Sequence, residues 1–321
     1  MKIVCVGHAT YDITLPTNTY PIENNKYRID KKIECGGGPA SNAAYLLAKW
    51  GEDVSFAGIV GNDYYGQSII KEFNHIGVNT EYIEKNSSTT TDSSYIISNL
   101  ENGSRTILTS KAKQIPSLSN PVDITDANYI LIDGEHHETA REVIFRNPKA
   151  ISIIDAGRCT KEVANLCSVV NYIVCSKDFA ESFTNIKVDH HNPNSLVSIY
   201  ETLKNSYKNQ TIIITLEDKG SFTKINNQYM LIPSVPVKAL DSTGAGYIFH
   251  GAFLYFLMHN NSLEKTIRLA SITAAISVTR IGSRYAIPEL DEVVELSNKN
   301  ERKTIYYYSW DRNWCCKKSS V

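Results

Sequence analysis

Short, mostly apolar segments alternate with helical patterns over the central part of the chain. The apolar segments are short enough for buried strands of a sheet: Tyr129–Ile132, Ile151–Ile154, Tyr172–Cys175 and Thr211–Thr215. Between them, apolar residues recur every three or four positions, as on one face of a helix: Glu138–Arg146, Lys161–Ser168 and Ser195–Ser206. This alternation predicts an α/β fold in which a mostly parallel central sheet carries helices on both faces.

The N-terminal region begins with the same pattern. Ile3–Val6 and Val54–Val60 are predicted to be core strands, and Gly66–Ile76 is predicted to be a helix. A further helix is expected after residues 35–39, because Ala43, Leu46, Leu47 and Trp50 are helically spaced. Gly36, Gly37 and Gly38 precede that helix, and consecutive glycines permit backbone conformations that other residues resist.

Other segments fall outside the alternation. Tyr20–Glu34 is polar with spaced apolar residues, which indicates strands away from the main core. Ser94–Ser98 and Arg105–Ser110 flank a turn containing Asn102-Gly103, which is a hairpin signal. These pieces predict a small β-sheet lid over a site, formed from about residues 12–35 and 92–112.

A second glycine turn follows Tyr229–Leu240, a segment that is predicted to be extended. Gly244-Ala245-Gly246 form the turn, and helices are predicted at Tyr247–His259 and Leu263–Thr279. Glycines just before a helix let the backbone approach a bulky anion, which the free amides and the helix dipole attract. A lone turn of this kind most often only connects two elements. Asp241 before it, and the distant glycines at residues 36–38, favour an anion site.

Several polar residues stay ambiguous on the sequence alone. Asp12 lies just past the first strand, at the edge where open α/β sheets bind ligands, and a turn role is equally open. Asp133 and Asp155 also follow strands and either face the cleft or cap a helix. The adjacent pairs His136-His137 and His190-His191 could ligate a metal, but neighbouring side chains diverge, so surface positions are favoured.

Charge and composition narrow the function classes. Among 321 residues, 33 Lys plus Arg balance 34 Asp plus Glu, so no basic surplus indicates nucleic acid or an anionic membrane. No apolar run approaches the roughly 20 residues that span a bilayer. Seven scattered cysteines, with no Cys-x-x-Cys pair, argue against a disulfide framework. We expect a cytoplasmic protein.

The end of the chain differs from the rest. Residues 298–321, with Tyr306-Tyr307-Tyr308 and Cys315-Cys316, fit neither a periodic helix nor a clean strand. We expect a C-terminal extension outside a main domain of residues 1–297, and Cys315-Cys316 is expected to be incidental rather than a metal or redox site.

The second glycine turn resembles the signature of the ribokinase-like (PfkB) carbohydrate kinases. Asp241-Ser242-Thr243-Gly244-Ala245-Gly246 is similar to the family's Asp-Thr-x-Gly-Ala-Gly-Asp, and Phe249-His250-Gly251-Ala252 continues the match. Gly37-Gly38 with Asn42 resembles the family's N-terminal motif. The resemblance covers nearly everything from Ile3 to about Leu296, and it is strongest for ketohexokinase and other fructokinase-type members. It implies a ribokinase-like three-layer α/β/α fold.

The resemblance also implies an activity and a sugar site. ATP would phosphorylate a hydroxymethyl group of a small sugar, with a ketose favoured. Asp12 and Asn42 would bind the sugar hydroxyls, Gly38 would allow close approach, and Arg105 would reach in from the lid. A homodimer through the lid is expected, because an exposed sheet face and edge invite pairing.

For the nucleotide, the resemblance implies a second group of residues. The amides of Gly244, Ala245 and Gly246 would form an anion hole for the transferring phosphoryl group. The other residues placed at the nucleotide or its ions are Lys177, Thr215, Gly220, Asp241, Ile272 and Ala275. Mg²⁺ would be held mainly by phosphates and water, with no protein metal ligand expected, and a monovalent cation near Asp241 is an open possibility.

One position departs from the family. The family's catalytic aspartate falls on Tyr247, whose ordinary pKa is about 10, so the side chain is mostly neutral at pH 7. A positioned base is typically worth about 10²–10⁴ in rate. The chain is therefore either a kinase with impaired catalysis, a non-catalytic sugar- or nucleotide-binding relic, or a kinase of nucleosides. Because Asp and Tyr codons differ by one nucleotide, a cloning or sequencing change stays open as well.

Overall fold

One large sheet forms the centre of the molecule. The computed structural model describes residues 1–112, 118, 124–189, 192 and 194–299, and the strand backbones at 305–308 and 314–317. Within these residues the sheet has eleven strands, in the order β15-β14-β13-β12-β11-β10-β9-β8-β1-β4-β5. Their bounds are β1 Ile3–Val6, β4 Val54–Gly61, β5 Ile83–Asn86, β8 Tyr129–Ile132, β9 Ile151–Ala156, β10 Tyr172–Ser176, β11 Thr211–Thr215, β12 Ser221–Ile225, β13 Gln228–Ile232, β14 Ile305–Tyr308 and β15 Trp314–Lys317.

The seven strands from β11 to β5 are parallel, and the four strands at the other edge are antiparallel. Parallel neighbours place their carboxyl ends at one edge of the sheet, where ligands bind in open α/β folds. The predicted mostly parallel sheet is therefore confirmed.

Helices cover both faces of the sheet, which gives three layers. Alternation within β1 explains the two cores, because Ile3 and Cys5 join one and Val4 and Val6 join the other. The first core is closed by α1 Pro39–Lys49, α2 Tyr64–Ile76, α7 Ala245–Met258, α8 Leu263–Ser277 and α9 Leu290–Lys299. The second is closed by α3 His137–Arg146, α4 Lys161–Cys167, α5 Lys177–Thr184 and α6 Asn194–Ser206.

A separate sheet of four strands lies beside the carboxyl ends of the large one. Its order is β3-β2-β6-β7, with β2 Thr10–Thr17, β3 Ile33–Gly37, β6 Ser93–Asn99 and β7 Arg105–Ser110. We call it the small sheet. It corresponds to the predicted lid, and the hairpin expected around Asn102-Gly103 is the β6–β7 pair.

The structure departs from the sequence predictions in three places. Residues 20–32, predicted to contain strands, have no strand, and β3 begins only at Ile33. The extended segment predicted to run to Leu240 is a strand only through Ile232, after which residues 233–239 are irregular. In the tail, where no clean strand was predicted, Ile305–Tyr308 and Trp314–Lys317 pair at the antiparallel edge of the sheet.

The sequence predicts no membrane-spanning segment, and it favours surface positions over metal binding for the paired histidines. None of the helices among the described residues is long and apolar enough to cross a bilayer. His190 and His191 lie outside the described residues.

Candidate active site

The N-terminus of α7 presents backbone amides at the edge where the strands end. Gly244 has φ 77°, the left-handed conformation that glycine adopts without strain, and its carbonyl accepts the first helical bond, from Ile248 N–H at 2.9 Å. Within the described residues, neither the Gly244 nor the Gly246 amide has a hydrogen-bond acceptor, while Ala245 N lies 3.5 Å from Ser242 O. A Cβ atom at Gly246 would meet nothing within 4 Å, so the space beside this turn is open. The turn at Gly244, Ala245 and Gly246 therefore suits an anion, and we call it the anion turn.

Asp241 fixes the shape of this turn. Its carboxylate accepts the Thr243 N–H and, across the chain, the Gly282 N–H, both at 3.0 Å. The residue is 2 % exposed, so the two bonds lie inside the protein. Asp241 thus joins the turn before α7 to the segment after α8, which is a positioning role.

Asp12 lies on β2 and is buried opposite the turn. Thr10 Oγ1 donates to its carboxylate at 3.0 Å and Ser283 Oγ at 3.3 Å. A Cβ atom at Gly37 would lie 2.1 Å from Asp12 Oδ2, so this glycine is required by the carboxylate. Burial raises the pKa of Asp12, and the two hydroxyl donors and the charge of Arg284 oppose that rise.

Asn42 offers the clearest sign of a ligand. The residue is fully buried in α1, yet its Nδ2 donor has no hydrogen-bond partner in the part of the chain that the structure describes. The same Nδ2 lies 3.6 Å from the position of a Cβ at Gly244, so it faces the anion turn. Gly38, with φ 98°, brings the start of α1 against the His8 carbonyl, which a Cβ would approach to 2.3 Å. A buried unpaired donor normally costs about 1–3 kcal/mol, which a bound acceptor atom would recover.

Tyr247 stands in the first turn of α7, among these groups. Burial, reinforced by the carboxylates of Asp155 and Asp12, raises its pKa to about 12, against a smaller opposing effect of Arg105. The phenol is therefore neutral at physiological pH and is a poor proton acceptor.

The two aspartates left open by the sequence take different places. Asp133 accepts the amides of His8 at 2.8 Å, Ala40 at 3.1 Å and Glu135 at 3.0 Å, so it caps the start of α1. Burial raises its pKa to about 6. Asp155, at the end of β9, lies 3.2 Å from His250 Nδ1 in α7, and burial raises its pKa.

The small sheet touches the anion turn through its β6–β7 hairpin. Arg105 Nη1 donates to Ser242 Oγ, which itself donates to the Gly103 carbonyl at 3.1 Å. Ser98 Oγ on β6 donates to the Leu240 carbonyl at 3.3 Å. Arg105 therefore contacts the segment just before Gly244, and its role in binding a sugar stays a prediction.

The predicted nucleotide residues lie at the ends of neighbouring parallel strands. Lys177 begins α5 just after β10, with Nζ 3.5 Å from Glu217 Oε2, and Thr215 ends β11, with Oγ1 donating to Cys175 O. Gly220 has φ 101°, and a Cβ there would lie 2.0 Å from Ile232 O, so packing alone requires this glycine.

Ile272 and Ala275 are both largely buried on α8, which packs against α7. Adenine contact with these two residues stays a prediction. Among the described residues, no group of three His, Cys, Asp or Glu side chains could hold a metal ion. Roles for Mg²⁺ and a monovalent cation therefore stay predictions too.

Three residues that contact the candidate site residues directly were not predicted from the sequence: Arg284, Glu72 and Ser283. Arg284 is 2 % exposed and bonds Asn42 and Ser41. The one signal available was an arginine between Ile281 and Ala286-Ile287, in otherwise apolar surroundings. Such a position is unusual for a fully charged side chain unless it is paired.

The chain is similar in sequence to known kinases. The sequence profile of the pfkB family carbohydrate kinases matches residues 1–290. The chain is 26% identical to a ribokinase of Lactococcus lactis over 299 residues, covering 91% of this chain and 95% of that protein. It is also 26% identical to a deoxyribokinase of Salmonella typhi over 321 residues, covering 94% and 100%.

Solved structures show the same fold. The ribokinase of Giardia lamblia superposes with a TM-score of 0.79 at 19% identity, covering 93% of this chain and 99% of that one. The Arabidopsis thaliana ribokinase complexed with ribose and ATP superposes with a TM-score of 0.75 at 21% identity, covering 92% and 97%. The family profile that matches residues 1–290 defines the class of the protein, which is a small-molecule kinase. Within that class, the chain is a member of the pfkB family of carbohydrate kinases.

Proposed function

We propose that this protein transfers the γ-phosphoryl group of ATP to a hydroxymethyl group of a small sugar, at a rate limited by Tyr247. The observation that carries the proposal is the buried Asn42 Nδ2, which has no hydrogen-bond partner among the described residues and lies 3.6 Å from the Cβ position of Gly244 in the anion turn. This arrangement suits a sugar hydroxyl on one side and a phosphoryl group on the other.

The proposed role of each residue follows from its charge and its hydrogen-bonding groups. Asp12 accepts a hydrogen bond from a sugar hydroxyl, and Asn42 donates a hydrogen bond to a hydroxyl oxygen. The amides that open α7 stabilise the negative charge on the transferring phosphoryl group, which is the main contribution that an anion hole makes. The acceptor oxygen forms a bond to the γ-phosphorus as the bond to ADP breaks, and the hydroxyl proton passes to solvent water in this chain, or to the carboxylate at residue 247 in Tyr247→Asp. A neutral phenol with a pKa of about 12 takes that proton poorly.

The ion and nucleotide contacts follow from the same geometry. The open space at Gly246 and the free turn amides fit the phosphates of ATP, with Lys177 and Thr215 at the neighbouring strand ends. Mg²⁺ would add positive charge to the phosphates, through oxygen and water ligands.

The acceptor sugar is proposed from two sources. The sequence resemblance favours a ketose, while the similar curated proteins are named for ribose and deoxyribose. All of these sugars present a primary hydroxymethyl group. A nucleoside presents one as well, and one similar protein, from Methanocaldococcus jannaschii, is named a nucleoside kinase. The assay panel therefore contains ketoses, pentoses and nucleosides.

The decisive experiment restores the carboxylate. ADP release is measured over the panel for the natural chain and for Tyr247→Asp, and we expect the variant to be faster by about 10²–10⁴ on one acceptor class. Binding of a non-hydrolysable ATP analogue, measured by calorimetry, is the control and should change little.

The outcomes separate the candidates. If neither protein binds the ATP analogue, the kinase proposal is wrong. If both bind ATP and a sugar but Tyr247→Asp gains no turnover, the protein is a binding relic whose losses go beyond this position.

We also propose a homodimer through the small sheet and a cytoplasmic location. Tyr95 on β6 and Leu108 on β7 are exposed apolar side chains directly opposite each other on one face of the small sheet, which a second copy of this chain would cover. Leu108→Glu should shift the dimer to a monomer in light scattering, and an unchanged mass would exclude this interface.

A further inference from the structure

A buried arginine sits behind the predicted acceptor site. Arg284 Nη1 lies 2.6 Å from Glu72 Oε2. Its Nη2 donates to Ser41 Oγ at 2.6 Å, and its Nε faces Asn42 Oδ1 at 3.4 Å. The Arg284 side chain is 1 % exposed, so all three contacts lie inside the protein. The three nitrogens of one planar group thus contact two residues of α1 and one of α2.

Aromatic rings hold the plane of this guanidinium. Its central carbon lies 4.5 Å from the ring centroid of Phe73 and 5.0 Å from that of Tyr45. Stacking on aromatic faces is favourable for arginine and leaves its edge free to donate. The directions of the donors are therefore fixed by packing on both helices.

The fixed donors determine which end of Asn42 faces the ligand. A guanidinium has donors only, so the Asn42 atom that faces it must be the carbonyl oxygen. The Nδ2 group consequently points the other way, toward Gly244, where it has no partner. Without Arg284, the amide could turn over and present its oxygen to the ligand instead.

The same ion pair also shapes the glycine strand behind Asp12. Both carboxylate oxygens of Glu72 accept the Gly36 N–H, at 2.9 and 3.2 Å. A Cβ atom at Gly36 would lie 2.3 Å from the Arg284 guanidinium carbon, so β3 lies directly on this pair. Gly37, which makes room for the Asp12 carboxylate, is the next residue.

We infer that Arg284 is a positioning residue that makes the acceptor site selective for a hydroxyl group. Through Arg284, Asn42 presents a donor toward Gly244. Asp12, an acceptor, is linked to the same turn by Ser283, whose Oγ donates to Asp12 at 3.3 Å and whose Cβ lies 3.0 Å from the Cβ position of Gly244. A hydroxyl can satisfy both at once. A keto or ether oxygen cannot donate to Asp12, and an ammonium group cannot accept from Asn42. This inference rests on the proposed function and concerns its substrate class.

The test uses sugar affinity in the full-length chain. Arg284→Met keeps an unbranched side chain but removes the donors, and Arg280→Met is the matched control, since Arg280 pairs with Glu292 on α9. By calorimetry with the sugar selected in the panel, we expect Arg284→Met to bind about 10- to 100-fold more weakly, the effect of a lost polar contact in a buried site. Arg280→Met should bind the sugar normally, and both variants should bind the ATP analogue normally.

A double-mutant cycle separates positioning from a general structural role. Asn42→Ala should weaken sugar binding to a similar extent, and adding Arg284→Met to it should weaken binding little further, because both changes remove one contact. Arg284→Lys keeps the charge without the planar fork, so it should recover thermal stability but not sugar affinity. Normal sugar affinity in Arg284→Met, or additive losses in the double variant, would overturn the inference.

A structural readout keeps the inference testable if no sugar binds. That result would remove the proposed function, while a neutron crystal structure of Arg284→Met or Arg284→Lys would still show which end of the Asn42 amide carries the hydrogens. We expect its side chain to leave the orientation seen here. An unchanged Asn42, with Nδ2 still 3.6 Å from the Cβ position of Gly244, would contradict the positioning role.

Discussion

In the proposed reaction, residue 247 is the position from which a base would take up the acceptor's proton. The carboxylates nearest the phenol, Asp155 and Asp12, raise its pKa together with burial, so the surroundings that would suit a neutral group keep Tyr247 protonated. An aspartate at the same place would be shorter and would leave more room for a sugar. The substitution thus changes both proton transfer and space.

Removing the phenol oxygen should matter little, because a neutral hydroxyl contributes no base. We expect Tyr247→Phe to keep the residual turnover of the natural chain within about twofold, against about 10²–10⁴ gained by an aspartate.

With the folded pKa near 12, no ionisation of Tyr247 enters the rate between pH 6 and 10. Rate–pH profiles of both proteins should therefore superpose. A rise of the natural chain near pH 9–10 that Tyr247→Phe lacks would show that the phenolate acts as a base.

At this scale, the sequence identified residues with a recognisable neighbourhood and missed the rest. Asp12, Asn42 and Gly244 lie in motifs and could be named in advance. Arg284 could not, because its significance depends on Glu72 and Asn42, which are distant in the chain and meet it only in the folded protein.

Among the elements, α7 concentrates most of the site. Its N-terminus carries the anion turn, its first turn carries Tyr247, and His250 one turn later contacts the Gly246 carbonyl, with Nδ1 2.6 Å away. The second ring nitrogen of His250 faces the Val174 carbonyl at 3.1 Å. His250 therefore connects the first turn of α7 to β10 in the central sheet.

Two glycines with positive φ can be compared in a stability test: Gly220, in the turn between β11 and β12, and Gly51, just after α1. Gly220 and Gly51 both have positive φ, at 101° and 89°, but only Gly220 is crowded, by the Ile232 carbonyl. Alanine at either site costs about 1–2 kcal/mol for the backbone alone, and overpacking at Gly220 should add about 1–3 kcal/mol. Chemical denaturation should therefore show a clearly larger loss for Gly220→Ala. Equal losses would mean that the β11–β12 turn relaxes freely.

The elements that the sequence predicted well are those with strong local periodicity. Buried parallel strands such as Tyr129–Ile132 are apolar throughout, and apolar residues of the helices between them repeat every three to four residues. Residues 20–32 alternated like a strand yet form none, and β14 and β15 lack a pattern yet pair. In these cases pairing depends on a neighbouring strand rather than on the segment's own pattern.

For the whole molecule, the tail completes the antiparallel edge of the large sheet. β14 pairs with β13, with Met230 opposite Tyr307 and Leu231 opposite Tyr306. Without that pairing, β13 would present free N–H and C=O groups to other chains. The tail therefore protects an edge, in addition to lying outside the predicted domain of residues 1–297.

Deleting residues 300–321 should therefore promote association. We expect faster growth of light scattering on gentle heating than in the full chain, because the β13 edge becomes available. The control deletes only residues 318–321, which follow β15, and should behave like the full chain. A truncated protein that stays as soluble as this control would show that the β13 edge needs no cover.

For the proposed sugar site, the contacts between the small sheet and the anion turn would also limit how quickly a sugar can enter. Arg105 and Ser98 bind the segment at residues 240–242, and Asp12 lies on the same small sheet, so these bonds must part before the pocket opens. Entry would then have a ceiling set by the protein's own opening. In rapid mixing, the observed association rate should level off at high sugar concentration, and at the same value for every sugar that fits.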